Sequence, residues 1–200
     1  MRKPWLLLKN FSQKCGEIIL TADIKYTEAN LFFQDESRFG LFTRNGKALT
    51  AKGIKPICPF HQVFKTLYLF GAFSPITGDS FLLEMPNCNA DNFQVFLNEL
   101  SLMFVNTYNI MVLDNGAFHK AKSLVIPENI GLLFLPPYSP ELNPAENMWA
   151  ALKRKFTNKL HHTLEEVSEF ITNATAKISK DSIKKTCGFD YVFKETIWTN

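Results

Sequence analysis

The chain has 200 residues, of which 46% are hydrophobic and 20% are charged, and its formal net charge is +3. These values predict one globular domain with a sizeable core, and the small positive charge permits a polyanionic partner without requiring one. No apolar run is long enough to span a membrane or to form the core of a signal peptide, and the four cysteines show no zinc-binding pattern. We therefore expect a cytoplasmic protein with reduced thiols.

Strand signals crowd together after a basic, weakly patterned stretch of 28 residues. Apolar runs at 31–33, 67–73 and 81–85 are separated by the turn residues Asn45-Gly46 and Thr77-Gly78-Asp79. Turn residues between strand-like runs are typical of antiparallel connections. Residues 31–85 are therefore predicted to form a three-stranded meander.

A helix is predicted next, because apolar residues recur every three or four positions from Phe93 to Phe104. Asn89 or Asp91 can cap its start. Strands at 110–113 and 131–135 follow, with a short helical segment at 119–124 between them. The predicted order is three strands, a helix, a strand, a short helix and a strand.

A proline-rich turn leads into the helices at the end of the chain. Asn143 can cap the first of these helices, and Glu146 follows that cap by three residues. Tyr138 is expected to pack within the turn. A last amphipathic segment is predicted at 167–178, with lysines near its end. The residues expected on the buried stripe of the first helix are Ala145, Trp149, Leu152 and Phe156.

Three carboxylates are predicted to emerge at element ends. Asp35 and Asp114 each close an apolar strand, and Glu146 lies in the first turn of a helix. Hard cations such as Mg²⁺ prefer oxygen ligands, and two ions about 3.5–4 Å apart can act on one phosphodiester. The pattern therefore permits a two-metal site.

Each acid also has a simpler interpretation. Asp114 precedes Asn-Gly and fits a turn former, and Glu146 could be the reciprocal partner of Asn143 in a capping box. Asp35 is followed by Glu36, and a cation would relieve the repulsion between two acids at a strand end. Spacing alone does not decide between these interpretations.

Three blocks resemble the signature blocks of the DDE transposases, specifically the bacterial insertion-sequence branch of the mariner-like superfamily. They are residues 33–41 (FQDESRFGL), 112–120 (VLDNGAFHK) and 135–149 (LPPYSPELNPAENMW). This resemblance implies an α/β fold of the ribonuclease-H-like type, a mixed five-stranded sheet flanked by helices. It also implies that Asp35, Asp114 and Glu146 are catalytic and bind two Mg²⁺ ions, for which Mn²⁺ can substitute.

The implied chemistry is metal-dependent cleavage of double-stranded DNA at insertion-sequence ends, followed by attack of the freed 3′-hydroxyl on a target. The family also implies a homodimer that synapses two ends, a nucleoid-associated location, and a helix-turn-helix domain that would here be encoded upstream. On this basis residues 1–29 are a remnant or linker, 30–160 the catalytic core, and 161–200 a helical extension.

Several basic residues are candidates for contacts with the DNA backbone. Each also has a simpler interpretation. The lysines could lie on solvated helix faces, either arginine could pair with Glu36, and His119 could cap a helix or pack in the interior. Three rival interpretations stay open: a nuclease that only cuts, an inactive regulatory remnant, and an unrelated fold in which the acids never meet. The candidate DNA contacts are Arg38, Arg44, His119, Lys120, Lys122, Lys153 and Arg154.

Overall fold

A computed structural model describes residues 11–23, 25–43, 46, 50–55, 57 and 60–193. The five strands are β1 (Ala29–Gly40), β2 (Thr66–Phe73), β3 (Ser80–Met85), β4 (Tyr108–Leu113) and β5 (Ile130–Phe134). The α-helices of the described part are α1 (Phe11–Ile19), α2 (Ala90–Met103), α3 (Ala145–Phe156), α4 (Leu164–Thr175), α5 (Lys180–Cys187) and α6 (Asp190–Phe193). Short 3₁₀ helices occupy Ala117–Lys120 and Pro140–Leu142.

The strands form one mixed sheet in the order β3-β2-β1-β4-β5. β1, β2 and β3 are antiparallel neighbours, which confirms the predicted meander, whereas β4 and β5 add to the other edge of β1 in parallel. Parallel neighbours need crossover connections, which α2 and the 3₁₀ helix supply. The predicted mixed five-stranded sheet with flanking helices is confirmed.

β1 is longer than its apolar run suggested. The strand continues through Asp35 to Gly40, because residues 33–40 form a continuous antiparallel ladder with β2. Its parallel pairing with β4 covers only residues 29–33. The prediction that Asp35 ends a strand is therefore wrong: it lies within β1, just beyond the segment that pairs with β4.

Successive residues of β1 point to opposite faces of the sheet and build two separate cores. Leu31 and Phe33 belong to the core that the sheet shares with α1 and with α3 to α6, whereas Phe32 belongs to the core beneath α2. The same alternation places Asp35 on the α3 face and Glu36 on the α2 face. The two neighbouring acids therefore do not share one site.

The helices at the two ends of the chain differ from the sequence predictions. α1 was not predicted, yet it buries Phe11 and Cys15 against the sheet and packs on β4 and β5. The last predicted amphipathic segment ends as α4 at Thr175, and two further helices follow. The predicted turn at Asn45-Gly46 includes a residue outside the described part. It falls in a connection of residues 41–65 between β1 and β2.

No helix in the described part of the chain combines the length and apolar character that crossing a membrane requires. Cys15, Cys88 and Cys187 are free thiols, and Cys58 lies outside the described residues. Burial raises the pKa of the Cys15 thiol to about 12, so that thiol stays protonated and unreactive at neutral pH.

Gly71 allows α3 to pack closely on the sheet beside Asp35. It lies directly opposite Asp35 in the β1–β2 ladder, and the Trp149 ring of α3 covers it. A Cβ atom at Gly71 would lie 2.6 Å from Cη2 of Trp149 and 3.0 Å from Cδ2 of Leu82. Trp149 is almost fully buried, so its ring has little space into which it could move.

We predict that Gly71→Ala lowers the free energy of unfolding by about 1–3 kcal/mol, because the added methyl group overpacks the contact with Trp149. Urea denaturation followed by far-UV circular dichroism measures this change. Gly16→Ala is the matched control, since a Cβ atom there meets nothing within 4 Å. In helix α1 that change should be neutral or stabilise by up to about 1 kcal/mol. Equal stability of the two variants would contradict the prediction.

Candidate active site

Asp35 is a half-buried carboxyl group in a negative environment. Its pKa is raised to about 8, mainly by burial and next by the negative charge of Glu146. Glu36 and Asp114 contribute smaller effects in the same direction. Without a counter-charge the ionised form of Asp35 is therefore disfavoured, as expected for an acid in a cluster of like charge.

Asp114 follows the last residue of β4 and has its side chain 58% exposed. Its Oδ1 accepts a hydrogen bond from the Gly116 N–H (2.8 Å), so the turn interpretation of this residue is correct. The same oxygen lies 2.8 Å from Nδ1 of His119. This histidine is the main cause of the lowered pKa of Asp114, which burial opposes. Asp114 is therefore both a turn former and an ionised group.

Glu146 lies in the first turn of α3 and is exposed. The alternative of a capping box fails, because the Asn143 N–H that Glu146 would accept donates instead to the carbonyl of Pro140 (2.9 Å). The N-cap residue is Pro144, one position later than predicted, but the Oδ1 of Asn143 still accepts the Ala145 N–H in the first turn (3.1 Å). The Glu146 carboxylate is therefore not used to cap the start of α3 and is available to a ligand.

Asn143 also connects the helix to the central strand. Its Nδ2 donates to the backbone carbonyl of Gln34 (2.9 Å), the residue before Asp35. Asn143 is only 4% exposed, so losing this bond would leave a buried amide unsatisfied. The bond fixes the start of α3 next to Asp35. The sequence placed Asn143 at the start of the helix but gave no sign of this second role.

The three acids share one cavity. Asp35, Asp114 and Glu146 all line an open cavity of about 430 Å³ between the ends of β4 and β5, the start of α3 and the proline-rich turn. The rival interpretation in which the acids never meet is therefore wrong.

The donor set fits a hard divalent cation. Within the described residues, no group of three His, Cys, Asp or Glu side chains could by itself hold a metal ion. Mg²⁺, however, is usually bound by one or two carboxylates together with water and substrate phosphate, and not by a cage of protein ligands alone. Such a cation would offset the repulsion among these carboxylates and would stabilise the ionised form of Asp35.

A buried histidine separates the acids of the two faces. His119 is 2% exposed, and its Nε2 lies 3.1 Å from Oε1 of Glu36 while Nδ1 faces Asp114. Burial alone would lower its pKa, but the hydrogen bonds to these two carboxylates outweigh burial and raise it to about 9. The imidazolium thus neutralises Glu36, which also accepts a hydrogen bond from Gln34 (2.6 Å).

This placement of His119 does not fit a direct contact with DNA phosphate, since both ring nitrogens face carboxylates inside the protein. Sequence analysis considered Glu36 as a second acid beside Asp35 or as a partner for an arginine, whereas in the structure its partner is His119, which also contacts Asp114. Strand alternation could have separated the two acids, but the partner of Glu36 lies 83 residues away.

The other candidate DNA contacts differ in how close they lie to the cavity. Lys120 donates to Oδ1 of Asn115, which lines the cavity, and Lys122 is exposed close by in sequence. Arg38 is exposed on β1. Lys153 and Arg154 lie in the last turn of α3, about 10–12 Å along the helix axis from Glu146 at 1.5 Å per residue. Arg44 is outside the described residues.

Tyr138 is placed differently from the prediction. It was expected to pack within the proline-rich turn, but its side chain is 100% exposed at the rim of the cavity. The residues around it occupy the interior instead: Leu135, Ser139 and Leu142 are all buried. Its backbone has φ of 57°, in the left-handed region.

Sequence comparison identifies a family. The model of a family described as DDE superfamily endonuclease matches residues 30–169. An uncharacterized protein of Sinorhizobium fredii (strain NBRC 101917 / NGR234), y4pE/y4sA, is 32% identical over 114 residues, which are 56% of this chain and 83% of that protein.

Solved structures of Mos1 complexes share the fold. The pre-cleavage Mos1 transpososome aligns with a TM-score of 0.66 and 14% identity over 91% of this chain, and the Mos1 strand transfer complex with 0.61 and 17% over 90%. The Mos1 mariner paired-end complex with Mn aligns with 0.60 and 17% over 80%. The chain spans 52–56% of the length of these proteins.

At this identity the structural likeness establishes the ribonuclease-H-like fold, and the family model covers all three cavity acids. The chain therefore belongs to the DDE superfamily endonuclease family.

Proposed function

We propose that this chain is the catalytic domain of a DDE-type transposase, which cuts DNA at insertion-sequence ends and joins the freed 3′-hydroxyl to a target. The convergence of Asp35, Asp114 and Glu146 on one open cavity carries this proposal. The cavity is open to solvent, and its three carboxylates are ligands suited to Mg²⁺.

Asp35, Asp114 and Glu146 would hold two Mg²⁺ ions, or Mn²⁺ in their place. Bound ions of this kind activate an attacking oxygen and stabilise a leaving oxygen during phosphodiester cleavage. The protein itself supplies the arrangement. His119 orients Asp114 through a 2.8 Å contact, and Asn143 fixes the helix start that carries Glu146 relative to β1. No side-chain nucleophile is required, because water and then the 3′-hydroxyl attack the phosphate.

Three features support DNA as the substrate. The family is named for endonucleases, and the structural neighbours include paired-end and strand transfer complexes of Mos1. Arg38, Lys122 and Arg154 are exposed basic residues that can contact phosphate.

The chain spans about half of the Mos1 proteins, so recognition of the element ends belongs to a further region in this proposal. We infer a helix-turn-helix domain encoded upstream and a homodimer that synapses two ends. Residues 30–160 would then form the catalytic core and residues 161–200 its helical extension, with α1 from the preceding segment packed on the same core.

We predict that Asp35→Asn, Asp114→Asn and Glu146→Gln each reduce Mg²⁺-dependent nicking of DNA at least about a hundredfold, because removing a metal ligand costs several kcal/mol of transition-state stabilisation. Nicking of supercoiled plasmid measures this loss, and joining of end-bearing oligonucleotides to the plasmid separates transposition from cutting alone. Glu141→Gln is the matched control, an exposed acid in the 3₁₀ helix before α3. Activity that survives in all three variants would contradict the assignment.

We also predict that Asp35 makes the metal-free protein less stable as pH rises. The folded pKa of about 8 lies above the ordinary value of 3.8, so between these values the folded state retains a proton that the unfolded state has lost. Stability therefore falls as pH rises through this window, by at most about 1.4 kcal/mol per pH unit. Urea denaturation in EDTA from pH 4.5 to 6 measures the slope.

Asp35→Asn should remove this contribution, so its stability relative to the wild type should increase with pH. Glu169→Gln, an exposed acid on α4, should leave the slope unchanged. At pH 7.5, added Mn²⁺ should raise the melting temperature of the wild type but not that of Asp35→Asn. If the stability of the wild type and of Asp35→Asn changed with pH in parallel, the pKa of Asp35 would not be raised in the folded protein, and the prediction would be contradicted.

A further inference from the structure

Tyr138 is a fully exposed aromatic side chain on the rim of the catalytic cavity. Exposed large apolar groups are usually scattered and need no explanation, but this one also has a left-handed backbone with φ of 57°. That conformation is strained for residues other than Gly, Asn and Asp, and such strain clusters at functional sites. A turn selected only for its shape would be easier to build with glycine at this position.

The turn holds the Tyr138 backbone firmly. On one side, Leu135 donates from its N–H to the carbonyl of Leu113 in β4 (2.8 Å). On the other side, Ser139 and Leu142 are buried and linked by a backbone hydrogen bond of 3.1 Å. Pro136, Pro137 and Pro140 restrict φ at the positions between these anchors. The backbone that carries the ring is thus held in place, so binding of the ring restricts mainly the two side-chain torsions of tyrosine.

The cavity defines what can reach the ring. Its acids are positioned for a phosphate of the substrate, as proposed above, and Tyr138 lines the same cavity. A nucleotide whose phosphate binds the acids therefore has its own or an adjacent base near the rim. Bases inside a duplex are already stacked on both faces, whereas an unpaired base offers a free face to an aromatic ring.

We propose that Tyr138 stacks on an unpaired nucleobase next to the phosphate that is cut, so the domain selects DNA that is frayed or opened at the reacting position. This inference rests on the proposed function and adds to it the state of the DNA that the site accepts. The ring provides stacking area at low entropic cost, and its hydroxyl group can stay in water. A positioning role of this kind needs no contact between Tyr138 and the reacting atoms.

The test compares two DNA duplexes of the same sequence, one fully paired and one with three unpaired nucleotides next to the cleavage position. Both duplexes carry 2-aminopurine next to the cleavage position, where the opened duplex is unpaired. Ca²⁺ replaces Mg²⁺ so that binding is measured with little or no cleavage. We expect the full chain to bind the opened duplex about tenfold more tightly than the paired one, which corresponds to about 1.4 kcal/mol, with quenching of 2-aminopurine, because the opened duplex offers a base that can stack on the ring.

Tyr138→Ala should remove both the preference and the quenching, whereas Tyr138→Phe and Tyr138→Trp should retain them, because stacking requires the ring and not the hydroxyl group. Phe64→Ala is the matched control: Phe64 is 74% exposed, precedes β2 and does not line the cavity. Tyr138→Gly should lose the preference while its melting temperature stays equal or rises by about 2–4 °C, since glycine relieves the backbone strain.

Equal preference in the wild type and Tyr138→Ala would overturn this inference and leave the proposed function standing. Loss of the preference in Tyr138→Phe would overturn it too, because a hydroxyl contact and not stacking would then be responsible. A lower melting temperature of Tyr138→Gly would point to a structural role and contradict the inference. Failure of the wild type to bind either DNA would overturn both this inference and the proposed function.

Discussion

The change of pairing partners along β1 is the constraint on which the site depends. Residues 29–33 pair with β4 in parallel, and residues 33–40 pair with β2 in the antiparallel sense. Continuing the parallel register from Phe33 and Val112 by two residues would place Asp114 opposite Asp35. The strand β4 ends at that level, so Asp35 has no strand partner on the β4 side while it stays paired with β2 on the other side. Both aspartates line the cavity that this leaves.

Helix α3 completes the site because two contacts seat it on this opening. Asn143 bonds to the carbonyl of Gln34 at the start of the helix, and Trp149, six residues later, packs over Gly71. Glu146 lies between these two anchors in the sequence. Its position relative to Asp35 is therefore set by a buried hydrogen bond and a close aromatic contact, and both involve the strands that carry or pair with Asp35.

The charges of the site are divided between the two faces of the sheet. On the α2 face, Glu36 is compensated by the buried His119, which also holds Asp114. On the α3 face, Asp35 meets Glu146 and has no comparable cation among the causes that shift its pKa. Within the described residues, the protein thus provides a cationic partner for Glu36 and no comparable one for Asp35. This difference makes Asp35 the acid whose state should report metal binding most directly.

The sequence by itself determined the main elements and the three acids. Alternating or continuous apolar runs predict strands, the apolar stripe that repeats every three or four residues predicts α2, and the residues of the three signature blocks carry the resemblance to the family. These signals are local or depend on residue type, so they can be read without knowing which elements touch. They did not indicate α1, whose short stripe is recognisable only once Phe11 and Cys15 are seen against the sheet.

Tertiary structure decided how the residues are used. Pairing with β2 extended β1 past Asp35. The alternation of side chains along the strand placed Asp35 and Glu36 on opposite faces of the sheet. His119 was placed between two carboxylates that are five and 83 residues away. The ring of Tyr138 was turned outward because Leu135, Ser139 and Leu142 fill the interior beneath it. These outcomes depend on contacts between residues far apart in the chain, and local patterns carry no information about which distant partners will be brought together.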